Sequence, residues 1–576
     1  MGSQIKTVLR LICCLVFFIF FATTTSYAQN LQLPKSEIRV AINNLGFHGY
    51  TYNKISLYAQ KQYFVYDKST WQQIATIEPT DVLNIALNNG NYDLTLNDDT
   101  PLLTQVQGDL VITCQGGLIG VQGLKRAGKD AIYRGKFEID RVPNNNNLFY
   151  LINVVDLQSY LRGVVPNEMP VTFGLEALKA QTIAAKNYVL APRTYNRAFD
   201  VDDSVASQVY YGANLEAPLA NQAISQTEGL VALYNWDLIT AVFSSTAGGY
   251  TESYENSFSD PRTGAFPSYP KGYLKARPDI YSVQPLNTEE AARKFYLSKP
   301  DSYDVKSPYY RWQKVWGDDT EGGNGIQELQ TVLSKTLPSM SKSGFVSPKV
   351  EVGEDIGNLI AIKVPVRGDS GKAMTVDIVT DKNTYHIQKE LVIRRTFQKN
   401  NISLPSANVV FDNIYDKKHN LVKVVATGGG FGHGVGMSQF GAGFMGTYLH
   451  KPFDKILKRY YTGITISTIP VILSANSAQQ SITQNFYAPY KRAVLVVDNK
   501  YKLSHITINI NGQEKDIILA KNPILSERIT RTDISSFVNP RAKNTVTFCY
   551  PTEEGSEKGI RLYIELVGKD DSEYEY

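Results

Sequence analysis

Tyr160-Leu161-Arg162-Gly163-Val164-Val165-Pro166-Asn167-Glu168-Met169-Pro170 runs straight into Val171 to Ala191, a stretch rich in Ala, Leu, Lys and Gln. Those residues are strong helix formers. Pro170 stands where a proline is tolerated, because the first helical N–H has no partner. Leu175, Leu178, Thr182 and Ala185 fall on one helical face, and Pro192 ends the run. The upstream stretch reads as a strand-to-helix junction, with Glu168 two residues ahead of the helix. This helix decides the fold class, because what precedes it reads as β.

Residues 35–155 alternate in short runs: Glu37 to Ile42, Ile55 to Tyr58, Phe64 to Tyr66, Leu110 to Ile112, Tyr133 to Ile139 and Leu148 to Val155. Asn89-Gly90, Asn97-Asp98-Asp99 and Asn144 to Asn147 are turn signals between them. Many short strands with regular turns predict a sandwich or barrel-like module. Beyond the helix, a second helix is predicted over 217–227, with strands at 230–234 and 238–243. A polar, partly helical segment covers 282–340. Alternation returns from Lys349 to Asp377, followed by a helix over 387–397, a strand over 421–427 and a helix over 453–461. From about 480 the chain reads as all-β. The fold class is therefore α+β: strand-rich modules around a few helices, plus a C-terminal all-β domain. The expected divisions are 35–155, a core at 156–281 carrying Glu168, an inserted mixed region at 282–420, a closing part at 421–470, a β domain at 480–568 and an acidic tail at 569–576.

The chain has 576 residues, 43% hydrophobic and 20% charged, with a formal charge of +4. That length implies several domains, and that composition excludes wholesale disorder. No dense basic stripe is present, so no nucleic-acid partner is expected. The 36 tyrosines suit sugar-binding grooves as well as core edges. At the N-terminus, Lys6 and Arg10 precede an apolar run from Leu11 to Ala22, then Ser26-Tyr27-Ala28. This is the pattern of a secretory signal over residues 1–28, with an uncleaved anchor as the alternative. Either sends the rest across the cytoplasmic membrane, to periplasm, cell wall or exterior. Cys114 and Cys549 are the cysteines beyond the signal. They make no disulfide framework, and neither cysteine nor histidine spacing suggests a metal site.

Three stretches could carry chemistry. Two prolines flank Glu168 and stiffen its backbone, as acid/base work on a glycosidic bond requires. The structural alternative is that Glu168 complements a helix N-terminus. That end would lower its pKa, whereas a general acid needs a raised one, so burial would have to win. Gly428 to Gly446 reads GGGFGHGVGMSQFGAGFMG, with nine glycines in 19 residues. It lacks the Gly-Lys-Ser/Thr ending of a phosphate loop and the spacing of a nucleophile elbow. What remains is a glycine frame presenting His433, Ser438 and Gln439. In Val242 to Glu252 a strand ends in the hydroxyls of Ser244, Ser245 and Thr246, which suit sugar recognition or an ordinary polar turn.

Together these stretches resemble the stage II sporulation protein D family, also called the amidase-enhancer family. Tyr133-Arg134-Gly135, Leu175 to Gln181, Ser207-Gln208-Val209-Tyr210, Ser307 to Trp312 and Leu404-Pro405-Ser406 also fit its pattern. The resemblance covers roughly residues 35–470. It implies a lytic transglycosylase acting on denuded peptidoglycan glycan strands, or a protein that enhances a cell-wall amidase. It implies Glu168 as the catalytic glutamate in a glycan-binding groove, with Gln181, Ser207, Gln208, Tyr210, Ser244, Ser245, Thr246, His433, Ser438 and Gln439 as glycan contacts. One carboxylate suffices for such cleavage, because the sugar's own 6-hydroxyl replaces water as nucleophile. Sporulation members place a zinc-binding histidine near Ser244 and cysteines soon after. Ser244 to Phe258 contains neither, so no zinc and no other cofactor is expected, and the hydroxyl loop must be held another way. The extra C-terminal β domain is a further departure, suited to binding wall polymer or a partner.

Overall fold

The structure is a computed structural model. It describes residues 37–192, 198–279, 283–317, 326–475, 480–520, 528–551 and 559–568. The expected signal segment and acidic tail lie outside these residues. Among them no helix is long and apolar enough to cross a membrane.

The protein is α+β. Residues 37–156 build two sheets. One runs in the order 201–202, 37–41, 149–156, 136–141, 110–113, 63–67, 73–77; the other runs 129–133, 119–126, 54–59, 83–88, 91–96, 100–106. Alternation explains them: Ile55, Leu57 and Ala59, like Leu83, Ile85 and Leu87, turn inward, and both sheets share one core. The run Tyr133 to Ile139, expected as one strand, is two strands in different sheets. The chain crosses between them at Gly135, where φ is 79° and a Cβ would lie 2.2 Å from the Val154 carbonyl oxygen. Unbroken alternation hides such a crossing, and only the glycine signals it.

The Glu168 stretch is a second correction. It is a helix, Leu157–Glu168, and Glu168 closes it instead of preceding the next one. Asp156 caps it, accepting a bond from the Ser159 N–H at 3.0 Å. Tyr160, Leu161, Val164 and Val165 recur at helical spacing and are buried. Gly163 and Pro166 are poor helix formers, so local propensity points away from what packing imposes. A short turn at Val171–Phe173 and Gly174, with φ of 86°, separate this helix from the long one, Leu175–Leu190.

The long helix is buried on nearly every side and touches the helices Leu157–Glu168, Pro218–Ser225, Gln439–Thr447 and Phe453–Tyr460. Two of its buried polar side chains bond to backbone. Lys186 donates to the Thr227 and Leu230 carbonyls at 2.6 and 3.0 Å, and Asn187 exchanges bonds with Ala232. These contacts clamp the strand Leu230–Tyr234 to the helix.

That strand corrects the third expectation. The C-terminal strands are not a separate domain. One sheet runs 237–238, 230–234, 465–468, 560–567, 492–498, 529–533, so strands from the core and the C-terminus share one ladder. A second sheet, in the order 481–488, 542–549, 505–510, 513–518, lies alongside in sequence. Tyr487 N–H bonds to the Glu228 carbonyl, and Lys543 pairs with Glu228. Cys114 and Cys549 are free thiols. Between core segments, residues 283–428 contribute helices 289–296, 327–341 and 390–396, and sheets that gather around Trp316, Leu333, Ile378 and Val424. The strand Leu421–Gly428 pairs within that region and leads out of it into the glycine loop.

Because the ladder is shared, the C-terminal strands should unfold with the core. A chain ending after Ser474 exposes the strand 465–468 and the buried faces of Ala232 and Ile466. It should be insoluble or lose cooperative thermal unfolding. A soluble truncated protein with the full-length melting temperature would contradict this.

Candidate active site around Glu168

The carboxyl of Glu168 sits at the carboxyl end of its helix, against the segment 202–211. Its Oε1 accepts the Val209 N–H at 2.5 Å. Its main-chain carbonyl accepts a bond from Gln439 Nε2 at 2.8 Å, and that nitrogen lies 3.4 Å from Gln181 Oε1. Tyr211 N–H bonds to the Gly163 carbonyl, so the segment is fastened to the helix at two points. Burial pushes the Glu168 pKa up to about 7, against smaller downward pulls from the Val209 N–H and the Gln439 amide. The helix terminus here is the negative end of the dipole, which also disfavours a charged carboxylate. The conflict expected from an N-terminal placement therefore does not arise.

The segment 202–211 is itself tied down. Asp203 is fully buried, paired with Arg126 at 2.6 Å and bonded by Asn43 at 2.8 and 2.9 Å. Ser207 exchanges bonds with Asp202. Tyr210 is buried, stacked on Tyr160 and bonded through its hydroxyl to Asn153 at 2.7 Å. It therefore packs the backbone that presents Val209. Gln208 is also buried; its Oε1 accepts the Tyr160 hydroxyl at 2.8 Å. The Nε2 atoms of Gln208 and Gln181 have no hydrogen-bond partner among the described residues. Buried donors of this kind normally find water or a ligand. Tyr211, absent from the sequence expectations, feels the Glu168 charge, and its pKa is raised chiefly by burial.

The hydroxyl loop and the glycine loop run side by side. Phe243–Ser244 pairs in parallel with Met437–Ser438, and Thr246 and Phe431 exchange backbone bonds. Glycine permits this approach: a Cβ on Gly436 would lie 2.2 Å from the Val242 carbonyl oxygen. Ser244 Oγ accepts the Gly434 N–H at 3.2 Å, Thr246 Oγ1 meets Ser307 Oγ at 2.6 Å, and the Ser245 carbonyl accepts the Phe440 N–H at 3.1 Å. The Ser245 hydroxyl is half-buried, 3.3 Å from Thr246 Oγ1. Ser438 caps the helix that carries Gln439. His433 Nδ1 accepts the Val435 N–H at 3.0 Å, and the ring also bonds to the backbone at Phe243. Burial lowers its pKa to about 4, so it is a neutral brace within the loop. Thus Gln439 reaches Glu168 with Gln181 beside it, and Gln208 bonds to Tyr160, whereas Ser244, Thr246, His433 and Ser438 spend their bonds on the loops.

Sequence reasoning missed what holds the hydroxyl loop. Asp304 Oδ2 accepts the Ala247 and Gly248 N–H groups at 2.7 and 2.9 Å and the Ser438 hydroxyl at 3.3 Å. Its Oδ1 lies 2.7 Å from Ser302 Oγ, which is 2.9 Å from Asp279 Oδ2. One hydroxyl hydrogen cannot serve both carboxylates at once. Burial raises the pKa of both carboxyls; at Asp279 the neighbouring Asp304 charge adds to the rise and the Arg459 guanidinium, 3.7 Å away, opposes it. A zinc does not fit here: the loop offers hydroxyls and glycines, and Asp304 has committed its oxygens. Among the described residues no group of three or more His, Cys, Asp or Glu side chains is placed to hold a metal.

The half-buried Glu168, whose carboxyl is pushed up to a pKa of about 7 and is backed by two interlocked loops, is the candidate acid/base group. Comparison with known proteins agrees on its lineage. The family described as "Stage II sporulation protein" matches residues 145–234, which include Glu168 and the segment 202–211. A second family, a domain of unknown function, matches 262–436. Stage II sporulation protein D of Bacillus subtilis (strain 168) is 30% identical over 57% of this chain and 78% of its own length. The Bacillus amyloliquefaciens protein of that name is 27% identical over 59% of this chain and 82% of its own. The "Amidase enhancer" of B. subtilis is 30% identical over 54% of this chain, but the match spans only 40% of that protein. The chain belongs to the stage II sporulation protein D family.

Two outcomes follow. The folded protein holds the Glu168 proton to about pH 7, the unfolded chain only to about 4.5. Stability therefore falls as pH rises through that window. Glu168→Gln should match wild type in urea unfolding below about pH 4.5 and exceed it, on the order of 3 kcal/mol, above about pH 7. A wild-type advantage at high pH would refute the burial argument. Asp304→Asn should cost about 2–4 kcal/mol, because an amide cannot accept all four donors. A loss under about 0.5 kcal/mol would remove Asp304 as the anchor.

Proposed function

We propose that the protein cleaves denuded peptidoglycan glycan strands as a lytic transglycosylase, outside the cytoplasmic membrane. The carrying observation is the Glu168 carboxyl, which can hold a proton near neutral pH and release it at little cost. Glu168 gives its proton to the glycosidic oxygen as the C1–O bond breaks. The resulting carboxylate takes the proton of the 6-hydroxyl while that oxygen bonds to C1. The product ends in a 1,6-anhydro sugar, no water is consumed, and Glu168 is protonated again. Burial and two hydrogen bonds are what shift Glu168, with no second carboxylate among them, and this chemistry needs none. Localisation rests on the signal-like N-terminus.

A second reading, activation of a cell-wall amidase, is favoured by the similarity to a protein named for that role. Digestion of denuded strands, with mass spectrometry of anhydro ends, separates the two. Glu168→Gln should lose about 100-fold or more, and wild-type kcat/KM should decline above an apparent pKa near 7. Equal anhydro-sugar yield from both proteins would sink the proposal. Amidase stimulation that survives Glu168→Gln, without cleavage, would select the second reading.

A further inference from the structure

The glycine loop carries an aromatic pair that nothing above uses. Tyr309 and Phe431 stack with ring centroids 4.4 Å apart and an interplanar angle of 23°. They remain 39% and 38% exposed, although most large aromatics of the core segments are buried. Neither sits on a pliable loop. Gly430 N–H bonds to the Tyr309 carbonyl at 2.8 Å, and Tyr309 N–H to Ser307 Oγ at 3.1 Å. Phe431 and Thr246 exchange bonds at 2.9 and 3.2 Å, and Trp312 Nε1 donates to the Gly430 carbonyl at 3.1 Å. The framework thus holds two apolar faces in solvent and gives them no route to burial.

We propose that the Tyr309–Phe431 pair is a stacking shelf for a pyranose ring of the glycan strand, distal to the bond cleaved at Glu168. This rests on the function proposed above. Continuity supports it. Phe431 bonds to Thr246, the adjacent Ser245 carbonyl holds Phe440, and the adjacent Gln439 bonds to Glu168. The shelf and the carboxyl are therefore two ends of one hydrogen-bonded frame, as an extended polymer requires. Size supports a sugar over a protein. A stable protein interface buries about 800 Å² per partner, far more than two partly exposed rings offer. A pyranose presents a C–H face matched to one aromatic ring, and a fixed ring loses little entropy on contact. Ser245, next to Thr246 in that frame, is only half-buried, so its hydroxyl is open to a ring substituent.

The test is calorimetric binding of denuded glycan strands, fractionated by length, to the full chain carrying Glu168→Gln so that strands stay intact. Affinity should rise with length, and Phe431→Leu or Tyr309→Leu should remove about three- to tenfold of that gain while leaving the shortest strands unchanged. Phe431→Tyr, which keeps the ring face, should bind like the parent. Equal binding of long strands by the Leu variants overturns the shelf, as does absence of strand binding altogether. Unchanged strand binding with reduced amidase stimulation would also overturn it, marking a protein-contact surface instead. A loss at every length, with Phe431→Tyr equally impaired, would show a collapsed loop and likewise reject stacking. These outcomes are independent of cleavage. If wild type leaves the strands uncut, the catalytic proposal fails while the shelf can still stand.

Discussion

A carboxyl group can remain buried and partly protonated at neutral pH only if its surroundings are fixed, because water or a stray cation would return it to its ordinary pKa. The rest of this site follows from that constraint. Glu168 is held from its own helix, from the Val209 backbone and, through its carbonyl, from Gln439. Each partner belongs to a different part of the chain. Val209 lies on a segment pinned to the N-terminal sheets by the buried Arg126–Asp203 pair. Breaking one half of such a pair typically costs 3–5 kcal/mol, so the segment is not free to drift. Gln439 starts a helix capped by Ser438, and Ser438 is fastened to Asp304. The sheets, the inserted region and the glycine loop are thus supports of one carboxyl.

The hydroxyl loop shows how one anchor chemistry can stand in for another. A metal ion would gather a loop by collecting side-chain ligands around a positive centre. Here a negative centre collects backbone N–H groups instead. Asp304 accepts Ala247, Gly248 and Ser438, and shares Ser302 with Asp279. Two adjacent buried carboxyls raise each other's proton affinity, and the Arg459 guanidinium beside Asp279 offsets part of that charge. Backbone donors also free side chains from serving as ligands, which suits a loop built from glycine and small hydroxyl residues.

Much of the fold was legible because alternation and helix-forming composition are local signals. The N-terminal strands, the long helix and the C-terminal strands follow from them directly. What escaped was set by partners distant in sequence. The split at Gly135 depends on a carbonyl at Val154, and the joining of the C-terminal strands depends on residues 230–234. The helix Leu157–Glu168 carries Gly163 and Pro166, which speak against helix, and only its packed face outweighs them. At the site, Glu168 was legible through its stiff flanks and its motif. Asp304 was not, since it stands 57 residues from the N–H groups it holds and no spacing marks it. Tyr210 and His433 sit inside recognisable motifs, yet their contacts are with backbone and core.

The reversal of the helix end changes what the two donors on Glu168 do. Placed at a helix N-terminus, the carboxylate would already be favoured, and further donors would only weaken the acid. At the C-terminus, burial and dipole both favour the proton, and unopposed they would make a strong holder but a poor giver. An acid that must become a base within one turnover needs its two states close in free energy at the working pH. The Val209 N–H and the Gln439 amide supply the opposing pull, and both come from segments whose positions are fixed by other bonds. The tuning therefore resides in how firmly the supports are tied, and a residue that does not touch Glu168, such as Asp304, can set its proton affinity.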